Sequence, residues 1–421
     1  METHDRAGAA RRVLMLGMAA AAGIGVARFA YSLILPDLRT DLGWGYSQAG
    51  LLNTLNALGY LFGAIATPRV VRRIGPAGTI QAGLALTVLG MAAMLGPSAM
   101  ALLSVSRIAA GVGAALAFIA GGMLSASLAE GNPSRRATVI GLFYVGPGLG
   151  MALSGASAPF VLAHFGPGSW RIAWAWLTLI ACVLAVPALR ASVGARRGAQ
   201  PAMAGSAVRA MPMARLLFGY ALFGVGAIAY MTFAIAWVKA TGGGAAVQAE
   251  FWTAIGVAAV ASPWIWGRLM GRLSGGHATA VLVGVTGAGA ALPLWLGASP
   301  TVLLVSALLF GSAVFAVVAA CTVFVRRNYA QGAWAAGITI LTVAFGIGQT
   351  IGPMVSGLVS DASGGRLDSG LWFSVACLAV GAIACAAQRD TAHADPSTEP
   401  ALYPALGARP APAHASTNRA P

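Results

Sequence analysis

The sequence predicts an all-α membrane protein, with twelve transmembrane helices in two pseudo-symmetric bundles of six. Three observations carry that expectation. The composition is too apolar for a water-facing surface, apolar runs of spanning length recur, and basic residues crowd alternate gaps between them. Hydrophobic residues make up 58% of the 421 and charged residues 9%, against about a quarter charged in an ordinary soluble chain. Mean hydropathy is +0.78, which also excludes disorder of the bulk. The 56 glycines suit membrane helices, which approach one another through small residues.

Crossing about 30 Å of hydrocarbon takes roughly 20 helical residues. Twelve runs are long enough: 13–35, 46–67, 77–96, 99–121, 137–162, 172–191, 216–238, 247–266, 279–297, 301–325, 333–358 and 370–387. The first follows Arg11 and Arg12 and contains Arg28, which makes it too long and too polar for a signal-peptide core. Arg69, Arg72 and Arg73 part the second run from the third, and Arg135 and Arg136 part the fourth from the fifth. Arg190 to Arg215 divides the sixth from the seventh, Arg268 and Arg272 follow the eighth, and Arg326 and Arg327 follow the tenth. With both tails, that side of the membrane collects 20 of the 26 basic residues. The other side has four (Arg39, Arg171, Lys239 and Arg366), and two lie within spans. Positive charge marks the cytoplasmic side, so both termini are expected in the cytoplasm of a multi-pass protein. The preference for arginine over lysine, of which only Lys239 occurs, and the abundant alanine fit a GC-rich bacterial genome and hence a bacterial inner membrane.

The domain reading follows. Residues 1–12 form a cytoplasmic N-terminus, 13–191 one six-helix bundle, 192–215 a flexible linker, 216–387 the second bundle and 388–421 a proline-rich disordered tail. An internal repeat at an offset near 200 supports duplication. Gln48-Ala49 faces Gln248-Ala249, Gly111 faces Gly311, Gly23 and Gly25 face Gly224 and Gly226, Gly150 faces Gly348, and Trp174 faces Trp372. The four cysteines sit in apolar runs without a CxxC pair, so neither a disulfide framework nor a thiolate metal site is expected. No cofactor or metal is called for, and the scattered arginines exclude a nucleic-acid surface.

Local motifs sharpen the picture. Arg69 to Pro76 is similar to a loop signature of the major facilitator superfamily, although Arg72 stands where that signature has aspartate. Trp266 to Gly275 is a second copy after the eighth span. Arg107, Gly111 and Gly113 match the family's Arg-xxx-Gly-x-Gly pattern, and Gly352-Pro353-Met354-Val355-Ser356-Gly357 carries a Gly-Pro-rich stretch resembling one that antiporters usually have in the fifth span. The first span, Gly23 to Tyr31 with Arg28-Phe29-Ala30-Tyr31, resembles an uncharacterised bacterial subfamily of these carriers. The resemblance runs from about residue 13 to 387 and implies alternating access around a central cavity that the first and fourth spans line.

Polar groups inside spans are costly and so are candidates for function. Arg28 and Arg107 are the only ionisable ones deep within a run; the eleven carboxylates map to loops, tails or the end of a run. Both arginines are expected to point into the cavity at one depth, as an anion-attracting collar able to grip a carboxylate or phosphate through the planar fork. Tyr31, Asn53, Tyr144, Tyr230 and Gln349 are further candidate substrate contacts, and Pro147, Pro263, Gly352 and Pro353 candidate bends or gates. Trp170, Trp237 and Trp372 read as interfacial anchors. With no intramembrane acid or histidine, an enzyme is not expected. The expected protein is a monomeric secondary transporter of a small molecule, with an organic anion as the leading cargo and export of hydrophobic or drug-like compounds as the alternative. A channel or receptor is more distant.

Overall fold

A computed structural model describes residues 2–128, 133–193 and 210–391, with side chains for all of these except 2–7 and 133–140. Among the described residues eleven helices are long and apolar enough to span a membrane. They are α1 (Gly8–Asp41), a 48-residue element (Tyr46–Ala93), α4 (Met100–Ser127), α5 (Gly141–Phe165), α6 (Trp170–Ser192), α7 (Met211–Ala240), α8 (Ala245–Arg272), α9 (His277–Leu296), α10 (Pro300–Asn328), α11 (Gln331–Ala362) and α12 (Leu367–Ala386). The 48-residue element is two crossings. Gly75, at φ 76° and followed by Pro76, adopts backbone closed to other residues, and the chain turns there. Gly59 and Gly63 approach Ile108 and Val112 in ascending order, whereas Gly83 and Gly90 approach Ala117 and Ala110 in descending order. The chain therefore runs up one side of α4 and down another, giving α2 (46–74) and α3 (76–93) and twelve spans in all.

Most helices outrun the apolar runs that announced them, because a helix ends where its backbone loses partners and not where hydropathy falls. α1 continues six residues beyond the expected end at Leu35, through Pro36 to Asp41. Asp37, expected in a loop, is thus inside a helix and 6% exposed. Its carboxylate accepts the backbone N–H groups of Gly168 and Trp170, at 3.0 and 2.8 Å, and so caps the start of α6. Trp170 and Trp237 are buried rather than interfacial, and their indole nitrogens donate to Asp41 and Asp368. The linker expected over 192–215 already turns helical at Met211, and 194–209 lie outside the described residues. The tail expected to be free from 388 is held at its start. Gln388 donates to the Pro212 carbonyl, and Asp390 accepts from Gly275 N and Asn328 Nδ2. Residues 392–421 lie outside the described residues.

The two sets of six repeat each other contact by contact. A Cβ placed on Gly111 would fall 2.1 Å from the Asn56 carbonyl, and one on Gly311 would fall 2.4 Å from that of Ile255. Gly150 meets the Ala21 carbonyl at 2.3 Å as Gly348 meets that of Ala221 at 2.0 Å, and Gly90 meets the Ser106 carbonyl at 2.8 Å as Gly289 meets that of Ser306 at 3.0 Å. Small residues let backbones touch at equivalent levels in both halves. Between the halves, α2 lies along α11 and α5 along α8. Tyr46 meets Gly357, Gly50 meets Pro353 and Leu61 meets Gly346, while Gly155 meets Thr253 and Gly148 meets Gly256. These crossings begin at the face remote from the termini, here the far side, and run to about mid-height.

Candidate substrate site

α1 is not a uniform helix. Over Ala21–Phe29 it widens into a π-helix, whose Gly23 and Gly25 admit Ala114 of α4 and Pro147 and Gly150 of α5 at backbone distance. Such widened turns recur at functional sites because they re-aim side chains. Arg28 stands at the end of this segment, 4% exposed, and donates from Nη2 to Gln349 Oε1 of α11, in the opposite half. Its guanidinium carbon lies 4.9 Å from the centre of the Tyr60 ring and 5.4 Å from that of Phe29. Among the described residues no carboxylate meets this charge.

Arg107 behaves differently, and the collar expectation fails for it. It is fully buried, and all its reach is spent on helix α1 and helix α2. Nη1 donates to the Ala27 carbonyl at 2.7 Å, Nε to the Leu52 carbonyl at 3.4 Å and Nη2 to Asn53 Oδ1 at 3.2 Å. Tyr31 and Trp174 cover its faces, at 4.6 and 5.7 Å from the guanidinium carbon. The cause is packing. Gly111 and Gly113 draw α4 so tightly against α2 and α3 that helix carbonyls and Asn53 take up its donors. The carbonyl it grips belongs to the residue beside Arg28, so the two cations share one level, and they are near enough for their charges to interact.

The remaining candidates divide. Asn53 carries the Arg107 network across the molecule by donating to Thr232 Oγ1 of α7 at 2.6 Å. Tyr31 donates to the Ala49 carbonyl at 2.8 Å and packs edge-on to Trp174, a bundle contact. Tyr230 is buried inside the second half, against Phe310 at 4.9 Å with its hydroxyl 3.4 Å from Ser306, and is not brought to the site. Tyr144 leaves 48% of its surface exposed, and Gly148, one turn further along the same face of α5, packs against Gly256 of the other half. That surface therefore borders a space between the halves and not lipid. Pro147, Pro263 and Pro353 all sit inside continuous helices, so none breaks its span. A Cβ on Gly17 would lie 3.2 Å from the carbonyl of Phe143, the group Pro147 leaves without a helical partner, so a neighbouring helix lies against what the proline frees. Gly352 packs on the Val225 carbonyl and the Pro353 carbonyl on Gly50, so this stretch glues α11 to α7 and α2.

Sequence reasoning missed four participants. Tyr60 follows Asn53 and Asn56 at helical spacing on α2, a pattern that points to one polar stripe. Ser32 donates to the Met231 carbonyl and Thr232 receives Asn53, both between α1 or α2 and α7, with no sequence signal beyond a hydroxyl. Asp361, at the end of α11, accepts the backbone N–H groups of Tyr46 and Ser47, both at 2.8 Å, and thereby caps α2 from across the molecule. Together with Arg28 and Gln349, these contacts close the far side with a ladder of polar bonds between the halves. Among the described residues no group of acids, histidines or cysteines is disposed to hold a metal.

Residues 20–386 match the model of a family described as "Uncharacterised MFS-type transporter YbfB". No curated protein matches the chain. Among solved structures, the chain is similar to a bacterial homologue of the human lysosomal transporter Spinster, inward-facing and unoccupied, at TM-score 0.65 and 13% identity over 91% of this chain and 96% of that one. The same homologue, inward-facing and occupied, is matched at TM-score 0.65 and 16% identity, over 89% and 94%. A point mutant of the nucleoside transporter NupG is matched at TM-score 0.69 and 12% identity, over 89% and 99%. At these identities the likeness is one of fold.

Proposed function

The chain belongs to this family of MFS-type membrane transporters, and from that premise we propose that it moves a small organic anion across the bacterial inner membrane by alternating access, with Arg28 as the anion's contact. The observation that carries this reading is a buried guanidinium whose charge no described carboxylate meets, hydrogen-bonded among the described residues only to the neutral Gln349 beside the space between the halves. A cation at that depth persists when a ligand or water completes it. Residues 13–191 and 216–387 are the moving units. With the termini assigned to the cytoplasm by the 20-to-4 distribution of basic residues, the closed far side is periplasmic and the conformation opens inward.

Opening outward has to break the Arg28–Gln349, Ser32–Met231 and Asn53–Thr232 bonds and the two from Tyr46 and Ser47 to Asp361. At about 0.6 kcal/mol for each such bond inside a membrane protein, the ladder amounts to about 3 kcal/mol. A ligand with differential affinity for the two states can reverse a balance of that size. An anion that takes Gln349's place on Arg28 removes one rung and couples binding to movement. A thermal-shift screen of the purified chain against metabolite anions, lipophilic cations and neutral compounds tests the reading, followed by proteoliposome uptake of whatever stabilises it. Stabilisation by anions that vanishes in Arg28→Gln is expected; stabilisation only by cations or neutral compounds, unchanged in that variant, sinks it.

A further inference from the structure

Resting on the organic-anion reading, we infer that the cargo is a planar aromatic monocarboxylate, its carboxylate on Arg28 and its ring among aromatic side chains contributed by both halves. Three observations converge. First, of the two membrane-level cations only Arg28 retains capacity, since Arg107 is committed to two carbonyls and Asn53. One free guanidinium matches one carboxylate, bidentate and coplanar.

Second, the groups around the inter-half space are aromatic. Tyr60 of α2 lies against Arg28, and half-exposed Tyr144 of α5 packs on Phe118 of α4 with ring centres 5.8 Å apart. From the second half, Tyr220, Phe223 and Phe345 stack nearly parallel, the Tyr220 and Phe345 rings 5.2 Å apart and inclined by 24°. Phe345 is partly exposed, and Tyr220 lines a small pocket with Cys321, Thr322, Ile338 and Thr342. Offset stacking on such faces favours a flat ring over an aliphatic chain.

Third, the hydroxyls of Tyr60, Tyr144 and Tyr220, from α2, α5 and α7, have no hydrogen-bond partner among the described residues, while the Tyr60 ring stands over Arg28 and the Tyr220 ring stacks on Phe345. They offer donors to a substituent on the ligand's ring. A lipophilic cation would meet Arg28 as a like charge, and a small polar acid would leave the aromatic walls unused.

Equilibrium dialysis and thermal shift on the detergent-purified full chain, with 2-naphthoate, succinate, acetate and 2-naphthylmethylamine as probes, test this. The expected result is 2-naphthoate binding at least tenfold tighter than succinate or acetate, abolished in Arg28→Gln and weakened several-fold in Tyr144→Leu, whose exposed side chain leaves folding intact. Succinate binding as tightly as 2-naphthoate, both lost in Arg28→Gln, overturns the aromatic assignment and leaves the organic-anion reading standing. Equal binding of 2-naphthylmethylamine, or binding unchanged in Arg28→Gln, overturns both. Failure of all four probes to bind wild-type protein overturns the assignment as well.

Discussion

The two halves share one backbone plan and spend their polar residues differently. Arg28 and Arg107 belong to the first half, and the equivalent positions of the second hold Ala229 and Ala307, both buried. Where Arg107 ties α4 to α1 and α2 through carbonyls, the second half fills the same level with Tyr230 on Phe310 and lets Ser306 donate to the Gly289 carbonyl at 2.6 Å. At the far side the pairing is exchanged outright. Asp37 accepts the backbone N–H of Trp170 in the first half, and Trp237 donates its indole N–H to Asp368 at the equivalent positions in the second, acid and tryptophan having changed places. The duplicated framework is held by small residues, and chemistry is layered on it asymmetrically. The first half supplies the membrane-level arginines; the second supplies the neutral amide that meets Arg28, and both supply aromatic surface.

That contrast can be broken most severely at Arg107. Replacing it by Ala leaves the Ala27 and Leu52 carbonyls and Asn53 without their donor, a loss on the order of 3 kcal/mol from unpaired buried groups. A fall in melting temperature and in detergent-extracted yield is expected. Ser306→Ala, at the matching level of the second half, is expected to cost about 1 kcal/mol, and equal effects would erase the asymmetry. The shared framework should instead respond alike in both halves. Gly111→Ala and Gly311→Ala each drive a methyl into a carbonyl, at 2.1 and 2.4 Å, and each should cost about 2 kcal/mol by overpacking. A large difference between the two melting curves would break the equivalence.

Arg28→Lys should lower transport about tenfold at a melting temperature close to wild type, because a compact ammonium loses the planar fork. A melting temperature that falls as far as that of Arg107→Ala would put both arginines in one structural class. The smallest effect is expected at Asp361→Asn. Weakening the two bonds that cap α2 from α11 removes about 1 kcal/mol of charge-assisted hydrogen bonding, enough to raise the open-outward fraction several-fold. Thiol labelling of Ala236→Cys, a buried far-side position, should then speed up by that factor in a background lacking the native cysteines.

The fold was legible because membranes leave few choices: long apolar runs and alternating basic gaps define spans before any side-chain contact is known. The depth-matched arginines were legible for the same reason, since polarity inside an apolar run stands out. What Arg107 does was not, because whether a guanidinium meets a ligand or a carbonyl depends on how closely Gly111 and Gly113 let α4 approach, and that is tertiary. Asp361 escaped because its partner is a helix end from the other half, a relation with no local signature. How Pro147 is accommodated was illegible for a related reason: the helix that lies against the carbonyl it frees is not revealed by sequence order.

The π-helical turn at Ala21–Phe29 gives α1 one place where a change of chain length is absorbed. A π turn holds more residues than an α turn, so loss of a single residue there would allow the segment to relax into ordinary α-helix with its two ends still in phase. Ser32 would keep Met231, and Asp37 would keep the start of α6. Gly23, Gly25 and Arg28, inside the widened stretch, would shift against α4, α5 and Gln349. A one-residue deletion would here re-aim the site and spare the contacts beyond it. Length, more than residue identity, is what this stretch has to keep.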